Sequence, residues 1–325
     1  MSGSKIMRSR APVHGPLSPA ILRTCWAVLL LAVCSLGTQA APSDTQTIEC
    51  GRGIEVRLSS LEAPQGGIIA AVLVSPSAVG DLKASWDGRD LLFWTERPWQ
   101  VGGNEEREAL LGIDLEKPPG EYEVHLSGLT ENSENFSCQI SIKVNEGHFA
   151  TERLNVAKQF AEPNADQVKR ANEERDRLRA IFDRITPKPL WAGGFREPLD
   201  AVKTGGNFGK RRILNGIPGS PHGGVDFPAP TGTPVHSAQA GTVVLAEELF
   251  FSGNTVVVDH GLGIYTFYGH LSAINVRAGD SVKSGEVLGK VGATGRVTGP
   301  HLHWGLTVNH SRVNALDIVK LLGSD

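Results

Sequence analysis

Glycine and proline interrupt this chain so often that no long run of helix can dominate it. With 38 Gly and 19 Pro, the expected grammar is short segments bounded by turns. Between the breaks the side chains alternate in Gly53–Leu58, Glu121–Leu126 and Cys138–Val144, and Ile69–Val74 is a continuous apolar run. Alternation at period two is the signature of strands with one wet face. Pro64-Gln65-Gly66-Gly67, Asp87-Gly88 and Pro118-Pro119-Gly120 mark turns between them. This spacing predicts an antiparallel β-sandwich of immunoglobulin-like type over residues 41–146. His125 falls on an alternating strand and reads as structural.

One segment escapes the punctuation. From Asn164 to Ile185 the chain is charge-rich and lacks both Gly and Pro. Val168, Ala171, Leu178, Phe182 and Ile185 fall on a three-four spacing, interrupted by Arg175, which predicts one amphipathic helix with a solvated charged face. Pro187 and Pro189 end it, so residues 147–188 read as a helical linker. From Leu190 onward Gly-rich turns return, with strands expected at Thr242–Ala246, Thr255–Asp259, Ile264–Tyr268, Val287–Val291 and His301–Leu306. A weak helical pattern at Ala315–Leu322 closes a second β domain, 189–325. The fold class expected for the whole chain is therefore mainly β.

A formal net charge of -3 with 21% charged residues gives no general electrostatic drive toward nucleic acid, and none is expected as a partner. The N-terminus is different in kind. Lys5, Arg8, Arg10 and Arg23 precede an uncharged apolar run from Cys25 to Leu36, with no acidic residue before Asp44. That run is short of the roughly 20 residues a membrane-spanning helix needs. Thr38-Gln39-Ala40 places small residues where a processing enzyme requires them. Residues 1–40 thus read as a secretory signal peptide rather than an uncleaved anchor, and the chain as exported to the periplasm or the cell exterior. Removing that segment removes Cys25 and Cys34. Cys50 and Cys138 remain, and in an oxidising compartment they are expected to form one disulfide joining the first strand of the sandwich to its last.

The chemistry lies in three places. They are His222-Gly223-Gly224-Val225-Asp226, Gly269-His270-Leu271, and His301-Leu302-His303. An H-x-H pair on a strand sends both imidazoles to one face, about 7 Å apart. His and Asp four apart, with Gly-Gly between them, can bend onto a common centre without steric obstruction. A catalytic zinc site needs three His or carboxylate ligands and an open position. It profits from a proton acceptor beside it. Spacing alone does not say which three of His222, Asp226, His270, His301 and His303 hold the metal.

The segment from Phe195 to Trp304 resembles peptidase family M23, the LytM or lysostaphin type of zinc endopeptidase. Phe195-Arg196-Glu197-Pro198-Leu199, Asn207-Phe208-Gly209-Lys210-Arg211-Arg212, Thr231-Gly232-Thr233-Pro234-Val235, Gly253 through Gly261 and Thr298 through Trp304 follow the family's order. The resemblance implies one Zn²⁺ held by His222, Asp226 and His303, with His270 and His301 as the catalytic pair. It implies hydrolysis of the peptide cross-links of bacterial peptidoglycan, whose peptide stems are the expected partner. Gly305 stands where many members carry an acidic residue, which bears on substrate contacts and removes no ligand. Some relatives have lost their zinc residues and only activate other wall hydrolases; that non-enzymatic role is the alternative. A partner in the cell envelope is a further expectation for the sandwich. Arg296, in Thr294-Gly295-Arg296, reads either as a contact for a substrate carboxylate or as a solvated loop residue. The stretch Val276–Glu286 is similar to lipoyl-carrier strands, but Lys283 lacks the carrier's flanking residues.

Overall fold

The computed structural model describes residues 45–95, 104–203 and 206–323. Residues 1–40, read above as a signal peptide, lie outside them. No helix among the described residues is long and apolar enough to cross a membrane.

Residues 46–145 form two sheets packed face to face. The first orders Gln46–Glu49, Glu55–Leu58, Ile68–Ser75 and Glu105–Gly112. The second orders Glu62–Pro64, Asn135–Asn145, Gly120–Leu129, Gly80–Trp86 and Arg89–Asp90. All pairings are antiparallel except Glu62–Pro64 on Asn135–Asn145. Along Asn135–Asn145 every second residue from Phe136 points inward or is half-covered, and Ile140, Ile142 and Val144 are buried while Gln139, Ser141 and Lys143 are exposed. The predicted disulfide is present: Cys50, just after the first strand, is bonded to Cys138. His125 is on the wet face beside Glu123, 3.4 Å away.

The segment read as a helical linker is more varied than its sequence suggests. It opens with a strand, Thr151–Leu154, which pairs in parallel with Arg211–Leu214. After a short turn of helix at Lys158–Ala161 comes the predicted helix, Ala165–Phe182. Asn164 caps it, accepting from the Gln167 backbone N–H while the Gln167 side chain accepts from the Asn164 N–H. This reciprocal arrangement satisfies two otherwise orphaned donors. The helix stops at Phe182, short of Ile185. Of the predicted apolar stripe, Leu178 and Phe182, with Ile181, pack on Leu245, Leu249, Val257 and Tyr265. Val168, in the first turns, is 42% exposed.

The C-terminal region is built on one sheet. Its order is Gly224–Pro228, His301–Val308, Ile264–Leu271, Gly253–Asp259, Gly241–Leu249 and Ser281–Val282, with Ser311–Val313 also on His301–Val308. One face of the sheet meets the main core through Val225, Phe227, Val256, Val258 and Tyr268. The other carries the Ala165–Phe182 helix over Val257 and Tyr265. The predicted final helix is present at Ala315–Leu322. The turn after Val308 reaches back to the sandwich: Asn309 Nδ2 donates to Leu110 O at 2.9 Å, and Arg312 Nη2 lies 2.7 Å from Asp114.

Candidate metal centre and its cleft

Register explains why residues 77 to 81 positions apart in the chain meet. Gly224–Pro228 runs antiparallel to His301–Val308, with Asp226 directly opposite His303 and Pro228 opposite His301. On the other side of His301–Val308, Gly269 is opposite His303, which brings His270 to the same end. Alternation along these strands puts Asp226, His301 and His303 on one face, and His222, just before the first strand, meets them there. Across the Gly-Gly pair His222 and Asp226 do converge, Nε2 to Oδ1 at 3.0 Å, but not through a tight turn. Gly224 instead opens the strand, and its value is space: a Cβ there would lie 2.7 Å from the His303 ring.

One ligand-capable atom from each of His222, Asp226 and His303 lies within 4.8 Å of the other two. His222 Nε2 is 2.9 Å from His303 Nδ1 and 3.0 Å from Asp226 Oδ1, and His303 Nδ1 is 3.0 Å from the same Oδ1. The His222 Nδ1 faces Asn207 O at 2.9 Å. A carbonyl only accepts, so that nitrogen carries the proton and Nε2 of the neutral ring carries a lone pair. Three electron-pair donors therefore crowd one point. A single proton on His303 serves only part of this cluster, whereas a divalent cation serves all three. Two imidazoles and one carboxylate are also the donor types that suit a Lewis-acidic centre. The set fits a metal on its own chemistry.

The protonation states favour the same use. Burial alone would raise the Asp226 carboxyl, but the hydrogen bonds and charge of His222 and His303 outweigh it and hold the group well below the ordinary carboxylate range. Burial pushes the His303 imidazole down to about 4. At neutral pH Asp226 is therefore an anionic carboxylate and His303 a neutral ring, the forms that metals bind.

His301 and His270 stand beside this triad. His301 Nε2 is 3.7 Å from Asp226 Oδ1, and its Nδ1 donates to Gly299 O at 2.8 Å. His270 Nδ1 donates to Thr294 O at 2.8 Å. Both rings thus commit Nδ1 to a carbonyl and leave Nε2 as the other ring nitrogen. Their centroids are 4.8 Å apart, and that of His270 is 5.9 Å from His303. Burial first, then the neighbouring His303 and His301, push His270 down to about 3. His270 also holds a positive φ of 63°, uncommon for a residue with a Cβ. The structure brings together all five residues singled out from sequence.

Three further histidines among the described residues lie elsewhere. His260 is fully buried between Ala240 O and Thr266 Oγ1, and burial depresses it to about 4. His236 faces Gly285 O and His310 faces Asp183.

Sequence reasoning gave Asn207 no role. Its Nδ2 donates to Asp226 Oδ2 at 2.7 Å, its Oδ1 accepts from the Asp226 N–H at 2.9 Å, and its carbonyl orients His222. It fixes two members of the triad at once, as residues behind a metal ligand do. Arg212 Nη2 approaches Asp226 Oδ2 at 3.4 Å, and Glu152 holds Arg212 from outside at 3.9 Å. Thus a strand of the former linker stands at the site's edge. The only advance signal was the position of Asn207 before Phe208-Gly209. A cleft of about 280 Å³ opens here, lined by Arg212, Asp226, His270, Arg296 and His301 among others. The larger cavity, about 760 Å³ on the sandwich, is lined around Leu82, Leu91 and Gln139 and has no ligand cluster among the described residues.

Residues 220–315 match the family model for peptidase family M23. The chain is 36% identical over 191 residues to the peptidoglycan DD-endopeptidase ShyA of Vibrio cholerae, covering 58% of this chain and 38% of that one. It is 39% identical over 127 residues to the DD-carboxypeptidase/endopeptidase Mpg of Neisseria meningitidis, covering 39% of this chain and 29% of the relative. It therefore spans well under half the length of these curated relatives. A crystal structure described as a peptidase M23 of Pseudomonas aeruginosa superposes with a TM-score of 0.59 at 29% identity, covering 80% of this chain and 95% of that one.

Proposed function

Because the chain belongs to peptidase family M23, we propose that it is an exported zinc metalloendopeptidase that hydrolyses the peptide cross-links of bacterial peptidoglycan. The observation that carries this reading is the convergence of His222, Asp226 and His303, with two further imidazoles turned toward the same cleft. The relatives' names supply the substrate, and the basic-then-apolar N-terminus supports delivery to where that polymer lies.

In this reading His222 through Nε2, Asp226 through Oδ1 and His303 through Nδ1 hold the zinc. A bound zinc supplies Lewis acidity, which acidifies water and polarises a carbonyl. His301, with its Nδ1–H committed to Gly299 O, offers Nε2 as the base that takes a proton from the attacking water. His270, fixed the same way on Thr294 O, offers the second Nε2. Between them the rings pass that proton to the departing amine, so the peptide bond breaks with no net proton gained by the protein. Asn207 holds Asp226 and His222 in place throughout. The sandwich, helix and C-terminal β region at 41–146, 147–188 and 189–325 are assigned as accessory domain, linker and peptidase domain.

Mass spectrometry of the muropeptides released from purified sacculi tests the proposal. Cross-linked species should fall and uncross-linked stems rise, an effect removed by a chelator and restored by zinc. Intact sacculi in the presence of fully zinc-loaded protein would overturn it and favour the activator role.

A further inference from the structure

Arg296 is a half-buried cation with no anionic partner among the described residues. Its backbone N–H donates to Phe251 O at 2.8 Å, and its guanidinium lies over the Phe251 ring, 4.4 Å from the centroid. The two segments are locked at close quarters. Gly253 and Gly295 both hold positive φ, 62° and 75°, and a Cβ on Gly295 would fall 2.4 Å from Gly253 N. The same segment supplies Thr294 O to His270, so the guanidinium is tied to the frame that holds a site histidine.

Among the described residues no carboxylate pairs with Arg296, and the charge that bears on it is the positive Arg212. Burial first, then Arg212, push its pKa down to about 10, so it stays cationic at neutral pH. Withdrawing a cation from water without a partner is costly. Arg212 is already engaged by Asp226 and Glu152. Among the described residues the Arg296 guanidinium is engaged by a ring, which orients it without neutralising it. It lines the cleft shared by Asp226, His270 and His301.

We infer that Arg296 is a carboxylate clamp: it binds a free carboxylate of the substrate peptide close to the bond that is cut. The inference rests on the peptidase reading and narrows its substrate to peptides bearing that anion. A guanidinium suits the task because its planar fork meets a carboxylate with two parallel hydrogen bonds.

The test uses two probes, a cross-linked stem-peptide dimer with free carboxylates and the same dimer with those carboxylates amidated. Binding is measured by calorimetry on the full chain, zinc-loaded and carrying His301→Ala so that neither dimer is consumed. The free-carboxylate dimer should bind about tenfold or more tightly than the amide, as loss of a charged hydrogen-bond pair implies. Adding Arg296→Gln should erase that gap, and Arg296→Lys should keep part of it. In the active chain Arg296→Gln should raise KM for the free-carboxylate dimer while kcat stays close to its starting value. A gap that persists in Arg296→Gln overturns the clamp, as does equal binding of both dimers before Arg296 is changed. If Arg296→Gln does not fold, Arg296→Lys decides, since a full gap without the planar fork also overturns it. Failure of the unmutated chain to bind or cut either dimer would sink the peptidase reading and the clamp with it.

Discussion

The two β regions treat the second face of a sheet in opposite ways. In the sandwich, Asn135–Asn145 buries Ile140, Ile142 and Val144 and leaves Gln139, Ser141 and Lys143 to water. In the C-terminal sheet, Val256, Val257 and Val258 are all fully buried, because the core covers one face and the Ala165–Phe182 helix covers the other. A sheet with one wet face tolerates charge at every second position. A sheet covered on both sides must account for each polar group it keeps. His260, Thr266 and Tyr268 hydrogen-bond one another within that interior. The polar groups left at the end of the sheet, His270, His301, His303 and Asp226, face one another, and all but His303 line the cleft. The contrast shows where chemistry can be stored: strand histidines in the sandwich are solvent groups, and in the covered sheet they are site groups.

Histidine substitutions test that contrast most severely. His303→Ala should abolish stoichiometric metal binding and reduce turnover by about 10³-fold or more, since the ligand set falls to two. His301→Ala should keep most of the metal and lose about 10²–10⁴ in kcat. His125→Ala, on the wet face of the sandwich, should leave metal content, turnover and melting temperature unchanged. Metal analysis with muropeptide turnover reads all three. Equal metal loss in His301→Ala and His303→Ala would break the division of roles within the pair.

Neighbouring core positions sharpen the comparison at a smaller scale. In the sandwich, Ile142→Ala should cost about 2–5 kcal/mol, and Ser141→Ala should stay within ~0.5 kcal/mol. In the covered sheet that asymmetry should vanish. Val257→Ala and Val258→Ala should each cost about 1–3 kcal/mol, from lost methyl burial plus the cavity left behind. Denaturant unfolding measures the four values. A neutral Val257→Ala would mean that the helix lies over the sheet without packing on it.

The same contrast explains what could be read in advance. Strands with a wet face announce themselves by alternation, so Cys138–Val144 and Glu121–Leu126 fall inside the longer observed strands Asn135–Asn145 and Gly120–Leu129. The Cys50–Cys138 bridge followed from counting thiols. In the covered sheet alternation fades, as along Gly253–Asp259, and Asp226 and the H-x-H pair were found by chemistry and spacing instead. Long-range register hid the rest. Asp226 lies on a strand of its own, opposite His303, which no local pattern shows. Thr151–Leu154 was read as linker because its partner, Arg211–Leu214, is about sixty residues away. Asn207 carries no periodic signal and acts through one side-chain amide and one carbonyl. Val168 fits the helix's apolar spacing and is exposed, because the sheet's apolar surface meets only the helix's later turns.

The smallest expected effect lies where the two regions touch. Asp114, at the end of the sandwich, accepts from Arg312 Nη2 at 2.7 Å, Nε at 3.1 Å and the backbone N–H at 2.9 Å. Burial alone would raise its pKa, but these hydrogen bonds, with one from the Glu116 N–H, outweigh it and hold the carboxyl below its ordinary value of 3.8. A carboxyl depressed in the folded state contributes stability that is fully present above its unfolded pKa. That contribution is lost as pH falls through the folded one. The pair is partly open to solvent, so the contribution is about 1 kcal/mol or less. Asp114→Asn should therefore lower the melting temperature by a few degrees at pH 7, and the difference from the unmutated chain should shrink below about pH 4. Melting curves collected from pH 7 to pH 3 would show it. A difference that stays constant across that range would mean that the Asp114 charge contributes nothing and that the joint is held by neutral contacts, such as the Asn309 amide on Leu110 O and the Ser311 hydroxyl on Gly112 O.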